Sequence, residues 1–173
     1  MRFGDFLKAT VLLSAGAATL LAALAVIGLA READRTLVVF IAVWWTGAVL
    51  IGIWFGRRAE VSPPIARLLA TARTQTTLPE LRPGLTLLNR LWSLLFMASA
   101  SAIASVFLPQ VAAVAAGFPI IWALTLRRQE SAVTAIEQRD GARFYVDKTS
   151  PLHPIRLVRT PGFGGAFLRH PIT

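Results

Sequence analysis

The chain has 173 residues, 55% of them apolar and only 16% charged, with a net charge of +9. Mean hydropathy is +0.60, which excludes an ordinary water-soluble domain, where about a quarter of the residues are charged. There is no cysteine, so disulfides and thiolate metal sites are excluded as well. The basic excess reads as membrane topology rather than nucleic-acid binding, because cytoplasmic segments of membrane proteins concentrate Arg and Lys. Sixteen of the 18 basic residues are Arg, a bias that fits a GC-rich bacterial genome.

Met1 to Lys8 is a short amphipathic lead with Arg2, Asp5 and Lys8. Residues 9–30 form the first apolar run, which outlasts a signal-peptide core and reads as a transmembrane span. Ser14, Ala18 and Ala22 place a small residue at every fourth position, the spacing of a close helix contact. The Arg31–Arg35 turn makes the first two helices a tight hairpin. The second span, 36–56, reads TLVVFIAVWWTGAVLIGIWFG, without a charge. Its length as a helix is about 31 Å, close to the hydrocarbon thickness of a bilayer. This run is expected to organise the bundle. Ala48, Gly52 and Gly56 give it a packing stripe, and Arg57 and Arg58 pin its end at the headgroups. Trp44 and Trp45 fall near mid-membrane, away from the interfacial belts. They read either as contacts to a neighbouring helix or as a wall against a lipid tail, quinone or pigment.

Residues 57–85 form a long loop. Ser62 and Pro63 are a good helix start. Ile65, Leu68, Leu69 and Ala72 share one face, and Arg67, Thr71 and Thr74 the other, which predicts an interfacial amphipathic helix over 63–74. Pro79, Pro83 and Gly84 break the segment that follows. The third span is predicted over 86–108, with Arg90 snorkelling at its start and Ser93, Ser99, Ser101 and Ser105 along it. Pro109-Gln110 is a minimal turn. The fourth span, 110–126, contains Pro119, which lacks a helical donor, and ends at Arg127-Arg128.

Four spans place 16 basic residues on one side and two on the other. The predicted fold class is therefore an all-α membrane protein. It is a four-helix bundle of two hairpins over 1–126, with both termini cytoplasmic in a bacterial inner membrane. The two hairpins also echo each other. Gly47, Arg57, Arg58 and Glu60 recur 70 residues later as Gly117, Arg127, Arg128 and Glu130. Duplication and coincidence at basic helix ends both account for that.

The basic tail, 127–173, is expected to be irregular or to form a β-hairpin, 133–138 with 142–146, turning at Asp140-Gly141. The alternative is a helix that runs to Gln138 and stops at Gly141. Residues 155–158 read as another short strand. A tail of 47 residues is too small to hold a core of its own. Phe144, Tyr145, Arg156 and Arg159 are therefore expected to meet the membrane surface or a partner, together with Arg57, Arg58, Arg67, Arg127 and Arg128.

No catalytic or metal constellation emerges. His153 and His170 stand apart without acidic neighbours, and Gly162-Phe163-Gly164-Gly165 lacks the context of a nucleotide fingerprint. The four spans contain no Asp, Glu, His or Lys, the residues that ion-coupled transport ordinarily requires. The expectation is a non-catalytic accessory or assembly subunit of a larger bacterial membrane complex. Its partners are the lipid bilayer and other membrane subunits, with no nucleic acid, cofactor or metal. The alternative is a small oligomeric transporter or channel for a neutral or apolar compound.

Overall fold

The computed structural model describes residues 1–32, 34–57, 61–74, 83–147 and 155–161. Six helices and three short strands follow in order: α1 Phe3–Glu32, α2 Arg35–Gly56, α3 Pro63–Ala70, β1 Arg73–Thr74, α4 Pro83–Ala104, α5 Pro109–Leu126, α6 Gln129–Asp140, β2 Ala142–Val146 and β3 Leu157–Pro161. Among the described residues four helical stretches are long and apolar enough to cross a membrane: α1, α2, α4 and the α5–α6 run. The chain is thus a multi-pass membrane protein with a small sheet.

The centre of the bundle is α5, not α2. Helix α1 packs along α5 most extensively, α2 packs along α5 next, and α4 touches α1 and α5 more lightly. The reason is size: Ala112, Ala113, Ala116 and Gly117 are all buried on α5, and small side chains let two neighbours approach one backbone. Helix α1 runs antiparallel to α5 and to α6 beyond it, with Gly28 against Pro109 of α5 near one end and Gly4 facing Glu130 and Thr134 of α6 at the other. Helix α2 runs parallel to α5, with Trp44 at Val114 and Gly52 at Ile121 and Leu124. The expected tight hairpin of α1 and α2 is therefore not the packing unit. Asp34 shapes that turn as the N-cap of α2, its carboxylate accepting from Thr36 N at 2.9 Å and Leu37 N at 3.4 Å, a contact that contributes about 1 kcal/mol.

Several expected boundaries shift. Helix α1 begins at Phe3 and has 30 residues, about 45 Å, well beyond the hydrocarbon thickness. Its first two turns leave the apolar span and enter a second core. The amphipathic helix stops at Ala70 rather than Thr74, because Arg73 and Thr74 pair in parallel with Val158 and Arg159 of β3. Helix α4 covers Pro83–Ala104, earlier at both ends than the expected 86–108.

The tail differs most from expectation. The 133–138 segment is not a strand. It belongs to α6, which resumes the line of α5 after a break at Arg127-Arg128. Gln, Glu and Ala favour a helix there, and Gly141 ends it in the left-handed region at φ 58°, the usual use of glycine as a helix stop. Strand β2 then pairs antiparallel with β3, Phe144 opposite Arg159 and Val146 opposite Leu157, in a sheet of order β1-β3-β2. The N-terminus extends the sheet edge: Arg2 bridges Tyr145, and Val146 N donates to Met1 O at 3.0 Å. The tail does find a core, but a shared one. Phe3, Phe6 and Leu7 of α1, Ile65 of α3, Leu91 of α4, Val133 of α6, and Phe144, Val146 and Leu157 of the sheet form one buried cluster. The size argument failed because it counted the tail alone.

Candidate functional site

The α2–α5 seam gathers most of the membrane residues marked by the sequence. Ala48, Gly52 and Gly56 are buried along it. A Cβ on Gly52 would come within 2.8 Å of Leu124 Cβ. One on Gly56 would run into the Leu124 carbonyl oxygen itself. Neither position accepts a side chain without moving α5.

Trp44 and Trp45 lie on the same seam. In hydrocarbon an indole N–H has no water to bond, so it needs a protein acceptor. Trp44 Nε1 donates to Val114 O at 3.0 Å, and Trp45 Nε1 to Ala113 O at 2.8 Å. Each carbonyl has a second lone pair, so a helical oxygen can accept an added bond. The Trp44 ring lies so close over Gly117 that a Cβ there would collide with the indole. Phe118 meets it edge-on, with centroids 5.9 Å apart. Sequence reasoning used Gly117 only in the hairpin echo. Its role here is space for Trp44, and the tryptophan pair was the available signal.

The far side of α5 is open. A cleft of about 700 Å³ lies between α4 and α5, floored by Leu21 of α1. Ser93, Leu94, Met97, Ala98 and Ser101 line it from α4. Gln110, Val111, Val114, Ala115, Phe118, Pro119 and Trp122 line it from α5. No residue pattern pointed to a cavity, because the same residues spaced for helix contact also line a gap.

The basic and aromatic tail residues divide into two groups. Phe144 and Tyr145 are buried, 2% and 6% exposed, so the chain itself covers the surface they were expected to offer a partner. Arg67, Arg127, Arg156 and Arg159 are exposed. Arg57 stands over the Trp54 ring, 5.7 Å from its centroid, a contact of about 0.5–1 kcal/mol at an exposed site. Arg128 Nη1 donates to Arg57 O at 3.3 Å, joining the ends of α2 and α5. Arg58, His153 and His170 lie outside the described residues.

A polar contact the sequence did not reveal ties the loop to the tail. Gln129 is 3% exposed, and its Oε1 accepts from Ser62 N at 2.9 Å. A smaller cleft of about 300 Å³ lies among α3, α6 and the sheet, edged by Arg139, Asp140 and Arg159. Arg139 Nε donates to Asp140 at 2.9 Å, and that bond holds the Asp140 carboxyl below its usual range. Burial lowers the Met1 amine, opposed by Asp5. Among the described residues no group of His, Cys, Asp or Glu could hold a metal ion.

No known protein family matches this chain, and neither curated proteins nor solved structures match it significantly. The reading of function therefore rests on the chain's own residues.

Proposed function

We propose that this protein is a non-catalytic accessory or assembly subunit of a larger membrane complex, held in a bacterial inner membrane with both termini cytoplasmic. One observation carries the reading. Helix α2 is held chiefly by its contact along α5, while Val39, Phe40, Val43, Leu50 and Trp54 are exposed around the rest of it. A helix fixed along one stripe leaves a broad apolar face sideways in the membrane, open to a partner helix as well as to lipid. The orientation is supported by charge. Arg57, Arg67, Arg73, Arg127 and Arg128 collect at the end that carries the sheet, whereas Arg31 and Arg35 mark the other, and basic ends remain cytoplasmic.

Blue-native electrophoresis of the full chain beside Val43→Trp tests the subunit reading. The wild type should migrate in a complex much larger than itself, and the variant should insert normally yet leave that complex. A wild type that runs only as a homo-oligomer contradicts the reading. That result would favour the second one, a small carrier for an apolar compound, which the α4–α5 cleft and Pro119 within its wall support. Removing residues 150–173 is a poorer test, because it also deletes β3 and with it the middle of the sheet.

A further inference from the structure

We infer that α5 carries a hinge at Ala115–Pro119, that the paired indoles of Trp44 and Trp45 latch it against α2, and that it opens toward α4. The first observation is in the backbone. Among the described residues Pro119 is the one proline in the interior of a helix. It has no N–H to give the Ala115 carbonyl, and a proline ring crowds the oxygen four residues before it. Prolines are where long helices bend sharply.

The second observation is where the indoles bond. Trp44 Nε1 and Trp45 Nε1 donate to Val114 O and Ala113 O, the two carbonyls that precede Ala115. Inside a membrane, the backbone disturbed by a proline is satisfied by groups on neighbouring helices. Trp44 and Trp45 bring two such donors to the turn that Pro119 disturbs, and Gly117 leaves the room for the Trp44 ring to come that close.

The third is that the two halves of α5 are held by different means. Beyond Pro119 the hold on α2 is backbone on backbone, with Gly52 against Ile121 and Gly56 against the Leu124 carbonyl. Before Pro119, α2 reaches α5 through side chains: Leu37, Ile41 and the two tryptophans. Polar bonds between membrane helices are weak, so this latch is reversible, whereas the backbone contact is a fixed anchor. On the other flank the cleft leaves Val111, Val114 and Phe118 with space toward α4. Leu21 and Ala25 of α1 pack with Ala112, Ala113 and Ala116 on a third side, which confines the swing to the direction between α2 and α4. From Pro119 to Leu108 is about 16 Å of helix at about 1.5 Å per residue. An added bend of about 20° carries that end about 5–6 Å.

The test places spin labels in the full chain, which has no native cysteine, and reads distances in lipid nanodiscs by pulsed electron resonance. Val39→Cys with Leu108→Cys spans α2 and α5 upstream of the hinge. Phe55→Cys with Arg127→Cys spans them downstream, and all four positions are exposed. Trp44→Phe with Trp45→Phe should lengthen the upstream distance by about 5–6 Å and leave the downstream one in place. Adding Pro119→Ala should return the upstream distance to its wild-type value, because an unbroken helix needs no latch. An upstream distance unmoved by the tryptophan changes overturns the inference. Equal shifts of both pairs overturn it too, since they mean that the whole seam has loosened, and so does a shift that Pro119→Ala fails to reverse. If the tryptophan variant does not insert, the wild type and Pro119→Ala alone decide. The upstream distance distribution should be broader than the downstream one in the wild type and should narrow to match it in Pro119→Ala. Equal widths in the wild type, or no narrowing in Pro119→Ala, overturn the inference.

Discussion

The two sides of α5 are built on opposite rules. Toward α2 it presents Ala113 and Gly117, and α2 answers with Ala48, Gly52 and Gly56, so the backbones approach until only indole rings and small atoms lie between them. Toward α4 it presents Val114, Phe118 and Trp122, and the helices stand apart around a cleft. Both sides are predominantly apolar. Hydrophobicity therefore cannot be what closes one and leaves the other open, since lipid tails are as apolar as Leu. The difference is steric fit, with two N–H···O bonds added on the closed side.

That contrast is open to attack by substitution. The largest effect should come from Gly56→Leu, whose side chain must displace the Leu124 carbonyl. Overpacking of this kind costs about 1–3 kcal/mol, and the cost should appear as an earlier midpoint in an SDS-unfolding titration. Gly117→Leu should approach the same loss by expelling the Trp44 ring, and Trp44→Ala in the same chain should restore part of it. Recovery in the double variant identifies the pair as the source of the strain. No recovery would mean that Gly117 is small for another reason.

A smaller effect separates packing from hydrogen bonding. Trp45→Phe keeps an aromatic ring and removes the donor to Ala113 O, so it should lose about 0.6 kcal/mol, the average for such bonds in membranes. The smallest effect belongs to the open side. Val114→Leu enlarges a side chain that is 41% exposed in the cleft wall, and the unfolding midpoint should move by less than about 0.5 kcal/mol. If Val114→Leu were as costly as Gly56→Leu, the two sides of α5 would not differ.

Much of the bundle was legible in the sequence because hydrocarbon leaves few options. Runs of about twenty apolar residues must become helices, and Ser62-Pro63, Pro109 and Gly141 carry local start and stop signals. What was not legible depends on distant pairing. Nothing near Arg73 and Thr74 announces a strand, since they become one only beside Val158 and Arg159. Phe3 and Phe6 read as part of a short amphipathic lead until β2 and α6 fold over them. Gly141 reads first as part of a hairpin turn and only alternatively as a helix stop; the structure takes the second, and the choice turned on β3, which lies 16 residues further on. The small-residue stripe named α2 as a packing helix but not its partner, because α1 and α5 carry small residues at similar spacing.

The most direct test of the closed-and-open account uses the absence of native cysteine. Two double variants, Gly52→Cys with Leu124→Cys and Met97→Cys with Val114→Cys, would be oxidised in native membranes. A disulfide sets Cβ atoms about 3.5–4.5 Å apart. Gly52 and Leu124 start at 2.8 Å, so α2 and α5 must ease apart by about 1 Å to take the bridge, whereas Met97 and Val114 line opposite walls of the cleft. The account predicts rapid, near-complete bridging of the α2–α5 pair and little or none across the α4–α5 cleft. Equal bridging of both pairs, or bridging only between α4 and α5, would contradict it.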